Sequence, residues 1–326
     1  MGTQLNDGAE HPWTEPSRQQ LAAAWRAGRL PHAVLLVGPP EIGKLALARW
    51  LASLVLCGKP EAPCGQCPSC ELFAAGNHPD LTVCGLLEDA TSISVDQIRS
   101  LIEAMALKSY LGGSKVAILC PADRMNTSSF NALLKLLEEP PDKSLLILTA
   151  SRLEAVPATV ASRCQRLRLP VPARVDALAW LMAREPGRDW SLALDLAGGV
   201  PPRALRLAGQ EVDALYEEVA GTVGGGALDV VAVAKRWSDD HTVERLGCLD
   251  DWLCRCARQA FRSDAVNNSR RVHLPSSGRL PDSAVLVRLI HSTRETRARV
   301  DGTSRVSYNA QLLLESLLVR LQSAFG

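Results

Sequence analysis

Four cysteines fall close together at Cys57, Cys64, Cys67 and Cys70, in the spacing C-x6-C-x2-C-x2-C. Thiolates in that number suit a tetrahedral Zn²⁺, and Gly65 and Pro68 between the C-x2-C steps allow the tight turns a knuckle needs. A redox pair and an iron–sulfur cluster are the rivals. No second cluster motif or cofactor domain stands nearby, which favours structural zinc, a local staple. The insert also lacks the interleaved basic and aromatic residues of a DNA-reading finger. The chain has ten cysteines and no secretion signal, so reduced thiols and metal ligands are expected rather than disulfides. Cys84, Cys120, Cys164, Cys248, Cys254 and Cys256 are scattered among apolar or arginine-containing segments and read as small hydrophobes.

Gly38-Pro39-Pro40-Glu41-Ile42-Gly43-Lys44 fits the phosphate loop G-x-x-x-x-G-K. Its glycines let backbone N–H groups turn toward a phosphate, the following helix adds positive potential, and lysine neutralises the terminal phosphates. The next residue should be Ser or Thr to hold Mg²⁺, but it is Leu45. A second defect lies after the apolar run Val116–Leu119, where an Asp-Glu pair would organise metal and attacking water. Cys120 and Pro121 stand there instead, and Asp123 comes three residues late, which reads as a turn or cap aspartate. Ser162-Arg163-Cys164 is a third constellation, in which a lone arginine is by itself an ordinary surface residue.

The elements that must position these residues follow from short apolar runs alternating with helical patterns. Ala33–Val37, Leu81–Val83, Val116–Leu119 and Leu145–Leu148 read as buried strands, implying a parallel sheet covered on both faces. Between them, helices are expected over 44–56, over 94–106 with Ser94 and Gln97 forming a capping box, and over 129–139 before Pro140 and Pro141. After Leu169 the patterns turn helical: 175–184, 190–197, 203–220, 228–237, 243–261, 284–300 and 307–324, with a polar loop over 262–282. Leu313, Leu314, Leu317, Leu318 and Leu321 make an apolar stripe on the last helix.

At 326 residues the chain is about two domains' worth, and the motif order divides it in three. The expected domains are an α/β domain over 1–168 carrying the cysteine module at 57–70, a helical domain over 169–208, and an all-α domain over 209–326. A composition 47% hydrophobic and 22% charged excludes a mainly disordered or fibrous chain. A formal charge of +1 argues against a nucleic-acid binder working by bulk charge. No apolar run reaches the roughly 18 residues of a membrane span, and the N-terminus lacks a signal peptide pattern, so a cytoplasmic protein is expected.

In this order the motifs resemble the clamp-loader branch of the AAA+ superfamily. The shared stretches are His11-Pro12-Trp13, LPHAVLLVGPPEIGK, the four-cysteine insert followed by Gly76-Asn77-His78-Pro79-Asp80, then SFNALLKLLEEPP, LTAS, SRC and NAQLLLESLL. The resemblance implies an α/β AAA+ domain, a helical lid and a C-terminal collar whose helices, the leucine stripe included, join subunits. It implies that Arg163 is an arginine finger, supplied in trans to ATP on an adjacent subunit and worth about 10³ to 10⁵ in rate. It also marks departures. Hydrolysing members pair the loop lysine with Ser or Thr and carry the Asp-Glu pair, and they hold a second-sensor arginine where this chain has Pro202, with Arg203 one residue late. Gly38, Gly43, Lys44 and the sensor threonine Thr149 thus outline a degenerate nucleotide site that binds ATP weakly or not at all.

The implied role is a non-hydrolysing subunit, without ATPase or polymerase activity of its own. Its implied partners are gamma/tau and delta subunits in a hetero-pentamer, with the sliding β clamp and primed DNA met through the assembly, and no membrane. Two other classes stand beside it: a self-sufficient AAA+ ATPase working at Lys44, and a zinc-dependent DNA-binding protein.

Overall fold

A computed structural model describes residues 11–87, 90–209, 212–225, 228–261, 280–300 and 309–325. The chain divides into two compact units, Met1–Pro172 and Ala173–Gly326. The expected boundary at 208/209 lies inside the second unit. Most of the polar loop expected over 262–282, and residues 307–308 at the start of the last expected helix, lie outside the described residues.

The first unit is built on a five-stranded parallel sheet of β1 (Ala33–Val37), β2 (Leu81–Cys84), β3 (Lys115–Leu119), β4 (Ser144–Ala150) and β5 (Gln165–Arg168), in the order β2-β3-β4-β1-β5. The central strands are continuous apolar runs because helices cover both faces; Ala33, Leu35, Ile118 and Leu148 are fully buried. Register places Leu36 beside Thr149 on one side and Leu167 on the other. That lines up the ends of β1, β4 and β5, where the loops of interest leave the sheet. β5 escapes a hydrophobicity reading because only Leu167 of its four residues is buried.

Around the sheet lie α1 (Glu15–Arg26), α2 (Lys44–Cys57), α3 (Pro68–Ala74), α4 (Val95–Ala106), α5 (Thr127–Glu138) and the one-turn α6 (Ala158–Ala161). The Ser94 capping box forms: its hydroxyl accepts from the Gln97 N–H at 3.3 Å, and the Gln97 side chain accepts from the Ser94 N–H at 3.0 Å. α5 starts earlier than its apolar pattern, because the Asn126 side chain caps it by accepting from the Ser129 N–H.

In the second unit the described helices are α7 (Arg174–Arg184), α8 (Ser191–Leu196), α9 (Pro201–Gly209), α10 (Val212–Gly224), α11 (Val230–Asp239), α12 (Thr242–Phe261), α13 (Ser283–Val300) and α14 (Ala310–Phe325). The stretch expected to be helical over 203–220 is described by α9 and α10, with residues 210–211 outside the described residues. Trp237 and Trp252 are fully buried, and the nearly buried Arg245 pairs with Glu218 and Asp240. The leucine stripe is used inside the unit: Leu314, Leu317, Leu318 and Leu321 are buried where α14 meets α11 and α13. The stripe thus packs against other helices, as its spacing implies. Leu312 and Val319 on the same helix are exposed. No described helix is long and apolar enough to cross a membrane.

Candidate functional site

The phosphate loop leaves β1 at Gly38, whose N–H donates to the Ala150 carbonyl at 3.1 Å. A side chain there would stand 2.8 Å from the Leu169 carbonyl, so the loop enters through a gap only glycine fits. Gly43 ends the loop in the left-handed region at φ +99°, and a Cβ there would lie 2.7 Å from the His11 ring. The Trp13 indole donates to the Ile42 carbonyl at 2.8 Å, so the chain's own His11–Trp13 segment packs over the end of the loop.

Lys44 opens α2 and is buried; its ammonium donates to the Gly38 and Pro39 carbonyls at 2.7 and 2.6 Å. Burial lowers its pKa, and the nearby Asp123 and Cys120 oppose that by favouring the charged form. Leu45 is 41% exposed, an aliphatic side chain where the fold offers a metal ligand. Thr149 on β4 is fully buried, and its hydroxyl makes no hydrogen bond with any described residue. Asp123 sits on a short turn, Ala122–Arg124, near enough to Lys44 to favour its charged form. One carboxylate oxygen accepts from the Ser151 N–H at 3.0 Å, tying the end of β3 to that of β4, and the other is buried. Lys44, Thr149 and Asp123 thus lie at one end of the sheet, where the half-buried Cys120 at the end of β3 brings a thiol in place of a carboxylate.

Arg163 follows Ser162, the C-cap of α6, and is exposed. Its guanidinium pairs with Glu138 at 2.8 Å and donates to the Thr159 carbonyl at 2.9 Å. Cys164, next to it, is buried, and burial pushes its thiol up to about 11. The SRC arginine therefore stands outward on a buried anchor. Of the other cysteines read as packing residues, Cys84, Cys248 and Cys256 are buried while Cys120 and Cys254 are half-buried.

The four crowded cysteines converge, with their sulfurs all within 4.8 Å of one another. Cys57 lies 3.6 Å from Cys64 and 3.9 Å from Cys67, and Cys64 lies 4.0 Å from Cys70. Four thiolates about 2.3 Å from a central ion lie about 3.8 Å apart. These separations match that figure and far exceed a disulfide bond, so the set can hold a metal ion. The Cys67 sulfur also accepts the Cys70 N–H, capping α3. The Gln66 N–H is the main cause that lowers the Cys64 thiol to about 6, whereas burial pushes Cys70 up to about 12.

Two residues beyond the sequence-derived set brace this module. His78 Nδ1 accepts from the Asp80 N–H, which leaves Nε2 to donate to Ser69 Oγ at 2.8 Å, and Ser69 in turn donates to the Leu56 carbonyl. Burial lowers the His78 pKa, consistent with that neutral ring. Burial raises the Asp80 carboxyl, but the N–H groups of Leu111 and Tyr110, the Ser109 hydroxyl and Lys115 outweigh it and hold the group below 3.8. The stretch 76–80 carries the signal for this brace without revealing its partners 30 residues on. In the second unit, Arg203 lies half-buried in the first turn of α9, one residue after Pro202.

Residues 13–173 match a family model described as DNA polymerase III, delta subunit. The chain is 34% identical over 328 residues to DNA polymerase III subunit delta′ of Pseudomonas aeruginosa, covering 97% of this chain and 98% of that one. It is 30% identical over 330 residues to the delta′ subunit of Escherichia coli K12, covering 96% and 95%. DNA polymerase III subunit tau/gamma of Haemophilus influenzae is 34% identical over 151 residues, 46% of this chain and 22% of that one.

Proposed function

The chain belongs to the family of DNA polymerase III delta′ subunits, and from that premise we propose that it is the stationary, non-hydrolysing subunit of a clamp loader. In this reading Arg163 reaches the ATP site of an adjacent gamma/tau-type subunit, where its planar guanidinium stabilises charge building on the γ-phosphate. A delta-type subunit completes the hetero-pentamer, which opens a sliding β clamp and closes it on primed DNA in the cytoplasm. Residues 169–208 serve as the lid and 209–326 as the collar.

One contrast carries the reading. The phosphate loop is packed against its own chain and has Leu45 and Cys120-Pro121 in place of metal-organising groups, while the SRC arginine is exposed. A hydrolytic site lacking both metal-organising positions loses the clamp on the β- and γ-oxygens that phosphoryl transfer depends on. An arginine finger needs exposure and a fixed base, and Arg163 is exposed and held by Glu138 and the Thr159 carbonyl. Lys44 and Thr149 keep the outline of a nucleotide site that turns nothing over. Cys57, Cys64, Cys67 and Cys70 would hold a structural Zn²⁺, which joins α2 to α3 and takes part in no reaction step. Their close spacing supports a single ion, since a cluster would spread the thiolates over its own width.

ATP turnover by the purified chain tests this directly. No turnover above background is expected, and hydrolysis abolished by Lys44→Met would establish a self-sufficient ATPase instead. Metal analysis should return about one zinc per chain, and a freshly purified sample without it would refute the cysteine assignment.

A further inference from the structure

Arg163 does not stand alone at its edge of the sheet. One Nη donates to the Thr159 carbonyl in the turn from which the arginine leaves, and the other meets Glu138, the last residue of α5, at 2.8 Å. The guanidinium is thereby held between two elements that reach it from different directions. Each contact uses one hydrogen of one Nη. The remaining N–H groups, one on each Nη and the one on Nε, are left for a further anion. The pair is open to solvent, at 39% for the Arg163 side chain and 52% for Glu138, so it adds little to folding.

Glu138 is also in an unfavourable place for a carboxylate. It ends α5 with a second acid, Glu139, as the cap, where the helix dipole disfavours negative charge. Two acids at a helix C-terminus break a local rule, and such breaks without a stability return mark functional positions. Lys135 lies in the last turn of α5, Arg163 adds a second cation at the helix end, and the helix end supplies a rigid base from which the arginine is aimed.

We propose that Glu138 is a positioning residue for Arg163, fixing the guanidinium in the orientation in which it meets the neighbouring subunit's nucleotide. This rests on the reading of Arg163 as a finger. Without the carboxylate the side chain is tethered on one side only and samples rotamers that point away. The loss then falls on the chemical step rather than on ATP binding, because the neighbour's own loop and metal hold the nucleotide.

The test is DNA-stimulated ATP hydrolysis by the reconstituted clamp loader, with Glu138→Ala, Glu138→Gln, Arg163→Ala and the double variant Glu138→Ala/Arg163→Ala in this subunit. Glu138→Ala should lower kcat about three- to fivefold with KM for ATP unchanged, the effect of losing one exposed charged pair. Glu138→Gln keeps an acceptor and should recover part of that loss. In the Arg163→Ala background, Glu138→Ala should add nothing, since there is no guanidinium left to aim. An equal loss in both backgrounds would reduce Glu138 to a structural role, and an unchanged or raised kcat would also overturn the proposal. If Arg163→Ala itself left hydrolysis intact, the finger reading would fail, separately from any result at Glu138. Should Glu138→Ala fold poorly, Glu138→Gln against the same arginine background decides the matter by the same non-additivity.

Discussion

Two ends of one parallel sheet have been treated oppositely. At the end of β1 the phosphate loop keeps its glycines and Lys44, yet the lysine is buried against the loop carbonyls and His11 packs on Gly43. Past the end of α6, Arg163 stands in solvent immediately before the buried Cys164 and pairs with Glu138. The first region has kept the residues that shape a fold and lost those that organise metal. The second keeps an exposed cation that, in the proposed reading, serves a neighbouring subunit. In the proposed reading, a nucleotide-binding fold persists for its architecture while its contribution to catalysis shifts from receiving a nucleotide to completing another subunit's site.

If that contrast is right, substitutions at the two ends should separate activity from stability. The largest effect is expected from Arg163→Lys, which keeps the charge but removes the planar fork. Hydrolysis at the receiving site of the reconstituted loader should fall about 10³-fold, while the thermal midpoint of the isolated chain stays unchanged. An unchanged rate would break the comparison at its exposed end.

The cysteine module comes next and belongs to neither end. Cys67→Ser removes one thiolate and the cap on α3, so it should release the metal and destabilise the first unit by about 3 kcal/mol or more. Metal content and chemical denaturation read this out, and retained zinc at full stoichiometry would contradict the four-thiolate site.

At the buried end, Lys44→Met strips two carbonyls of their donor and should cost about 1–3 kcal/mol in denaturant unfolding. A neutral effect would show that the ammonium is not holding the loop closed. The smallest change is expected in acid. The Asp80 carboxyl titrates below its ordinary 3.8 in the folded chain, so the stability it contributes is complete above that value and is lost as pH falls through the folded pKa. Asp80→Asn should therefore be less stable than the parent at pH 7, with the gap closing below about pH 4. A gap that widened toward acid would reverse the sign and refute the assignment.

Much of this was legible in the sequence. Four of the five strands are apolar runs, and the phosphate loop, the capping box and the cysteine knuckle are written in residues close along the chain, where local geometry suffices. What escaped depends on distant partners or on polar residues doing structural work. β5 is mostly polar and exists because β1 pairs with it. Asp123 reads as a plain turn residue until the fold sets it near Lys44, and Asp80 finds its partners 30 residues later. The leucine stripe of α14 was visible, but periodicity alone does not say whether a stripe meets its own chain or another, and here it meets its own.

The central claim is that this chain acts on a neighbour's nucleotide and not on its own. The most direct measurement is DNA-stimulated ATP hydrolysis by one reconstituted loader carrying either Arg163→Ala or Lys44→Met in this subunit, each assembled to the same extent. The account predicts a loss of turnover with Arg163→Ala and turnover near that of the parent with Lys44→Met. The reverse pattern, loss at Lys44 and none at Arg163, would contradict it.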